Sequence, residues 1–229
     1  MFWDKWIPRK YLVKSEVFVV EVYFEDQQPE YHFTHLKNTN NKVAVLDVFT
    51  SNELRLPAFV LKNKIPLVLI VNGKGVIIKK TDLKESSGKN LEEIITANLP
   101  ALNVNDFYIQ VYKQENETGF ISLCRRNIVD TLLEQFSQQE REIADLFVGS
   151  ASVIGLQPLW SKFNTLELSH HRVELTNGFL DLISTETNSD EKPLIIEDIA
   201  LSKNHVLGFA TGVAYFMQRK LADSSASFL

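Results

Sequence analysis

Runs rich in β-branched and aromatic residues, broken by short polar stretches, fill the N-terminal third of the chain. VFVVEVYFE (17–25), PEYHFTHL (29–36) and KVAVLDVFT (42–50) predict three strands. Asp26-Gln27-Gln28 and Asn38-Thr39-Asn40-Asn41 lie between them with turn chemistry, so the three should form an antiparallel meander. Pro66 opens a further apolar run, LVLIV (67–71), and GVIIKK (75–80) follows it.

The pattern then becomes mixed. Asn90 is an N-cap with Glu93 three residues on, and Leu91, Ile94 and Ile95 supply one face of a short helix that Pro100 ends. FYIQVYK (107–113) and GFISLC (119–124) read as a hairpin around Gln114-Glu115-Asn116-Glu117. That second strand runs into a helix expected to be capped by Asn127, with Ile128, Leu132 and Phe136 at i, i+4 and i+8. A strand, IADLFVG (143–149), follows. Some 30 residues of strand, helix and strand imply a parallel pair joined by a right-handed crossover. LELSHHRVELTNGFLDLIS gives two strands around Asn177-Gly178, and KPLIIED (192–198) gives another. The last helix, 204–220, carries Val206, Phe209, Ala210, Val213, Phe216 and Met217 on an apolar face. Gly208 and Gly212, at i and i+4, would let another element approach closely; in a soluble chain this spacing means tight packing.

Asn72-Gly73-Lys74-Gly75 invites comparison with a phosphate-binding loop. Such a loop needs Gly, four residues, then Gly-Lys-Ser/Thr running into a helix. Here the Lys lies between the glycines, no Ser or Thr follows, and VIIKK is a strand. Asn-Gly between two strand-like runs predicts a type I′ hairpin turn instead.

Composition narrows the function classes. At 229 residues the chain can bury one large core or two lobes sharing an interface. A net charge of −5 argues against a nucleic-acid partner, which would require a basic face. Cys124 is the single cysteine, so no internal disulfide or cysteine metal cluster can form, which fits a reducing compartment. No apolar run approaches the 18 residues or so of a membrane span, and a cytoplasmic chain is expected.

Candidate chemistry is sparse. His32 and His35 are three apart on a predicted strand and face opposite sides, while His170 and His171 are adjacent. Neither pair has zinc-helix spacing, and all are read as surface or edge residues. No Gly-x-Ser-x-Gly elbow occurs, and Cys124 reads as a packed thiol, although Arg125 and Arg126 beside it could lower its pKa. Asp47, Asp145 and Asp181 sit in strand-like contexts with nothing in sequence to pair them, so no acid/base role is assigned. Trp3, Trp6 and Tyr11 form an aromatic arm, suited to packing on the core or to anchoring a partner.

The order of elements resembles an actin-like fold. More specifically, it resembles the GspL and PilM family, the cytoplasmic actin-like domains of type II secretion and type IV pilus inner-membrane platforms. The residues that carry the resemblance are LVLIVNGKGVIIKKTDL, NLEEIITANLPALNVNDFYIQ, FISLCRRNIVDTLLEQF with IADLFVGSASVIGL, and VLGFATGVAYFM. The resemblance implies an α/β, ribonuclease H-like two-lobed fold. Residues 1–158 would form the first lobe, with an inserted α+β subdomain at about 66–118; 159–222 would form a smaller second lobe, and 223–229 a linker or cut end.

Actin-like ATPases hold nucleotide on two Asp-x-Gly-type hairpin turns. The first should lie in VFVVEVYFEDQQPEYHF, which contains no glycine and turns at Glu25-Asp26-Gln27-Gln28. At the second, near ELTNGFLDL, Gly178 survives but Thr176 and Asn177 occupy the place of the Asp. Thr176, Asn177 and Gly178 are therefore vestigial at most. No catalytic residue, metal or cofactor is expected; ATP and Mg²⁺ enter only under the alternative of an active ATPase or small-molecule kinase. The leading expectation is a non-catalytic scaffold at the inner face of the inner membrane, coupling a secretion or pilus-assembly ATPase to its platform. The homodimer is one form open to it. A stand-alone protein-interaction module is the third reading. Partner contacts are expected from Trp3 and Trp6 and from the exposed charges Lys74, Lys79 and Lys80.

Overall fold

β-Branched and aromatic side chains on both faces of five strands build the centre of the molecule. The computed structural model describes residues 15–25, 28–39, 42–83, 90–185, 193–196, 198–217 and 223–224. Strands β1 (Glu16–Phe24), β2 (Pro29–Thr39) and β3 (Lys42–Ser51) form the antiparallel meander read from the sequence, with Glu21 opposite His32 and Tyr23 opposite Glu30. A short helix, α1 (Ala58–Asn63), which the sequence reading did not anticipate, leads into β4 (Leu67–Gly73), which pairs parallel to β1.

β5 (Val76–Asp82) leaves the central sheet. Helix α2 (Leu91–Asn98) has the predicted capping box, with the Asn90 side chain accepting from the Glu93 N–H and the Glu93 carboxylate accepting from the Asn90 N–H. β6 (Phe107–Lys113) and β7 (Thr118–Arg125) form the expected hairpin, and β7 also pairs antiparallel with β5. Helix α3 (Arg126–Gln138) returns the chain to β8 (Ile143–Val148), which lies parallel to β4. A 3₁₀ segment, Ser150–Lys162, follows. β9 (Thr165–Glu167), β10 (Arg172–Thr176) and β11 (Phe179–Ser184) make a three-stranded antiparallel sheet, and β12 (Leu194–Ile196) pairs with β13 (Ile199–Leu201). Helix α4 (Lys203–Phe216) precedes β14 (Asp223–Ser224), which adds to β6.

The central sheet therefore runs β3-β2-β1-β4-β8, three antiparallel strands continued by two parallel to β1. That is the ribonuclease H-like strand order on which actin-like lobes are built. One face presents Val17, Val19, Leu36, Val68 and Ile70 to α4 and to the β9–β13 segment, within one continuous core. The other presents Phe18, Val20, Phe33, Leu69 and Val71 to Val60 of α1 and to Val129, Leu132 and Phe136 of α3. A third cluster, with Ile94, Ile95, Ile109, Val111, Ile121 and Leu123, lies under α2.

Four local expectations are corrected. Residues 72–75 turn the chain but make no hairpin: β4 pairs in the central sheet and β5 pairs with β7. The positive φ angles fall on Gly73 and Gly75, not on Asn72 and Gly73 as a type I′ turn requires. The reason is that Gly73 lies directly against Phe24 of β1, where a Cβ would overlap the Phe24 backbone, and the Lys74 N–H donates to the Phe24 carbonyl at 2.6 Å. Likewise β7 and β8 are not a parallel pair, because α3 carries the chain from one sheet into another. Finally, α3 starts at Arg126 with Arg125 at the cap, so Asn127 lies in the first turn, where its carbonyl accepts from the Thr131 hydroxyl. Helix α4, read as one-sided, is buried on every face from His205 to Phe216.

Candidate functional site

Glu21 stands alone as a charge within VFVVEVYF, and alternation places it on the Val17 and Val19 face of β1. It is 1% exposed. A buried carboxylate needs partners, and the neighbouring elements supply them. Asn72, at the end of β4, donates from Nδ2 to Glu21 Oε1 at 2.9 Å and to Ser150 Oγ at 3.0 Å. His32, directly across on β2, places Nδ1 3.4 Å from Glu21 Oε2. Ser150 follows β8 and meets His171 Nδ1 at 2.9 Å. This is what Asn72-Gly73-Lys74-Gly75 does: it delivers Asn72 into a polar lattice as the chain leaves the sheet.

The lattice opens toward solvent on its other side. Glu30 Oε2 lies 3.0 Å from His32 Nε2 and 3.6 Å from His170 Nε2. His170 stacks on Tyr23, with ring centroids 3.6 Å apart and planes at 11°. The loop between β9 and β10 thus folds over the end of the β1–β2 hairpin. His205 of α4 meets His32 edge to face.

Electrostatics separate the imidazoles. Burial pulls the His32 pKa down, but Glu21 and then Glu30 outweigh it, and the net shift is upward. Burial holds His205 down at about 4, helped by the charge of His32, so it is neutral near pH 7. Burial also lowers His171. Tyr23 is raised, first by burial and then by Glu25 and Glu21.

Two histidines read as surface or edge residues are therefore interior, His32 at 1% and His35 at 6% exposed, and His205 of α4 is equally buried at 6%. His32 and His35 do face opposite sides, as their spacing requires; His35 Nε2 meets Glu16 Oε1 at 2.7 Å beside Phe18 and Phe59. Sequence spacing could not show this because the partners come from four separate elements. The one signal was the lone Glu21 inside an apolar run.

The residues expected to bind partners or nucleotide lie elsewhere. Trp3, Trp6 and Tyr11 fall outside the described residues. Lys74 is exposed, Lys79 donates to the Asn98 carbonyl at 2.7 Å, and Lys80 pairs with Asp181. Thr176 donates to the other oxygen of Asp181 at 3.3 Å. Asn177 and Gly178, both at positive φ, form the two-residue turn between β10 and β11. Space around Gly178 is open, with nothing within 4 Å of where a Cβ would sit. Cys124 is fully buried, and burial raises its thiol to about 11 despite the neighbouring arginines. Asp145 accepts from the Leu146 N–H, and Asp47 is exposed. Among the described residues no helix is long and apolar enough to cross a membrane.

No family model matches the sequence, and no curated protein matches it. Among the solved structures, two that are similar can be described. One is the cytoplasmic domain of EpsL, an inner membrane component of the type II secretion system of Vibrio cholerae. It is 12% identical, with a TM-score of 0.49, over 75% of this chain and 71% of that one. The other is the PilM–PilN type IV pilus biogenesis complex, 11% identical with a TM-score of 0.48. That match covers 75% of this chain and 61% of the other, less than two thirds of its length. The strand order gives this chain a mixed α/β fold with a ribonuclease H-like central sheet, and EpsL and PilM–PilN are structures to which it is similar.

Proposed function

We propose that the chain is a non-catalytic, actin-like component of a type II secretion or type IV pilus assembly machine. It works at the cytoplasmic face of the inner membrane as a scaffold between an assembly ATPase and membrane-platform proteins. In this reading residues 1–158 and 159–222 act as two lobes around an insert at about 66–118. Partner contacts come from Trp3, Trp6 and the exposed charges of the insert, Lys74 foremost.

The observation that carries the non-catalytic reading lies on the β1–β2 hairpin. No glycine occurs between residues 16 and 39, and Glu30 lies beneath the His170 loop with the buried Glu21 behind it. A triphosphate brought there would meet the partly exposed Glu30 carboxylate, and like charges at short range repel strongly where water is excluded. At the second turn Asp181 is engaged by Lys80 and Thr176. The active-ATPase alternative draws on one feature, the open space around Gly178.

Titration calorimetry of the purified chain with Mg-ATP tests this. No heat of binding is expected up to millimolar nucleotide. A dissociation constant in the micromolar range would overturn the non-catalytic reading and direct mutagenesis to Thr176 and Asn177. The platform role is checked by co-purification with the membrane proteins of a secretion or pilus machine; recovery of the chain without them would favour a stand-alone module.

A further inference from the structure

We propose that Glu30, His32 and His170 bind a divalent transition-metal ion of the zinc class, with Glu21 orienting His32 from behind. This goes beyond the scaffold reading and stands independently of it.

The three ligand atoms, one oxygen and two imidazole nitrogens, lie within 4.8 Å of one another. Two ligands each 2.0–2.1 Å from a tetrahedral zinc are about 3.3 Å apart. The separations from Glu30 Oε2, 3.0 Å to His32 and 3.6 Å to His170, bracket that value.

The state of His32 points the same way. Its Nε2 is buried and has no hydrogen-bond partner. Glu30 is near enough for an ion pair, but the hydrogen-bond geometry is not met. A deeply buried imidazole nitrogen 3.0 Å from a carboxylate, outside good hydrogen-bond geometry and within 4.8 Å of a second imidazole nitrogen, is placed as a metal ligand would be. On the ring's other side Nδ1 faces the buried carboxylate of Glu21. Metal-binding histidines regularly donate their second N–H to such a carboxylate, which fixes the tautomer and leaves the other nitrogen's lone pair for the metal. Stacking on Tyr23 orients His170 in turn.

Two imidazoles and one carboxylate suit Zn²⁺, Co²⁺ or Ni²⁺ and are a poor set for Mg²⁺ or Ca²⁺, which prefer all-oxygen shells. Glu30 and His170 are partly exposed, at 35% and 27%, so the ion has a path in and a fourth position open to water. Bound there, it would tie the loop before β10 to the β1–β2 hairpin.

Calorimetric titration of the EDTA-stripped chain with ZnCl₂ tests the proposal, with Co²⁺ as an optical probe. One equivalent of Zn²⁺ should bind with a dissociation constant of about 1 µM or tighter. Co²⁺ should show the visible bands of a four-coordinate nitrogen and oxygen site. His170→Ala, on a loop, should abolish stoichiometric binding and leave the thermal unfolding of the metal-free protein close to wild type. Glu21→Gln should weaken binding about 10- to 100-fold without abolishing it. Absence of saturable Zn²⁺ binding, binding unaltered in His170→Ala, or equal affinity for Mg²⁺ would each overturn the proposal. Because Glu30 figures in both readings, Zn²⁺ is titrated without nucleotide and ATP with Mg²⁺ on the zinc-free chain, so that each reading fails on its own measurement.

Discussion

Cys124 is the packed thiol that its strand context predicts, and burial there outweighs neighbouring charge. Two arginines follow it, and proximity to positive charge alone would lower its pKa. Instead it sits in β7 with no exposure, and burial raises the thiol to about 11. At pH 8 the native protein should react with a thiol reagent far more slowly than a free cysteine. In denaturant one thiol per chain should react at once; rapid native labelling at pH 8 would contradict the burial. Glu21 and His32 run the other way. An isolated charge in an apolar strand was visible in the sequence, but the partners that make it tolerable lie 11, 51 and, through Asn72, 78 positions apart along the chain. Candidate sites built this way cannot be read from spacing, because spacing reports only what one element holds.

Elements were more legible than sites. The strands of the meander, the capping box at Asn90 and the hairpin at 107–124 follow from local periodicity and turn chemistry, and the structure has them. Helix α4 was legible as a helix but not as a fully buried one. Its glycines are explained by what they face: a Cβ at Gly208 would stand 2.5 Å from Thr34 Oγ1, and one at Gly212 would collide with Leu36. Thr34 and Leu36 are wholly buried and have little room to move. Alanine normally stabilises a helix relative to glycine, by up to about 1 kcal/mol. At Gly208 overpacking should reverse the sign, and Gly208→Ala should destabilise by about 1–3 kcal/mol in chemical denaturation. A stabilised variant would mean that α4 does not pack this closely on β2.

At the scale of the molecule, polar contacts help hold the β14-β6-β7-β5 sheet to the central one. Tyr112 donates to the Val148 carbonyl at 3.0 Å and lies 2.8 Å from Gln110 Oε1. Gln110 donates to the Leu146 carbonyl at 2.7 Å and accepts from the Val148 N–H at 2.7 Å. Tyr112→Phe keeps the ring and removes the hydroxyl, leaving a buried carbonyl short of a donor. That should cost about 1–3 kcal/mol and speed hydrogen exchange in β6 and β8. Unchanged exchange would show that apolar packing alone docks this sheet on the central one.

The sequence by itself determined which segments are strands and helices, because periodicity, capping and turn residues act over a few positions. It also determined that no Walker-type phosphate loop is present. Beyond adjacent hairpins, only the tertiary structure decided which strands pair. Strand, helix, strand at 119–149 was read as one parallel unit, yet β7 and β8 entered different sheets, and β4 parted from β5 in the same way. Pairing depends on which apolar faces find complementary surfaces across the whole chain. The same long-range competition brought Glu21, Glu30, His32 and His170 together from a hairpin and a loop far apart in sequence.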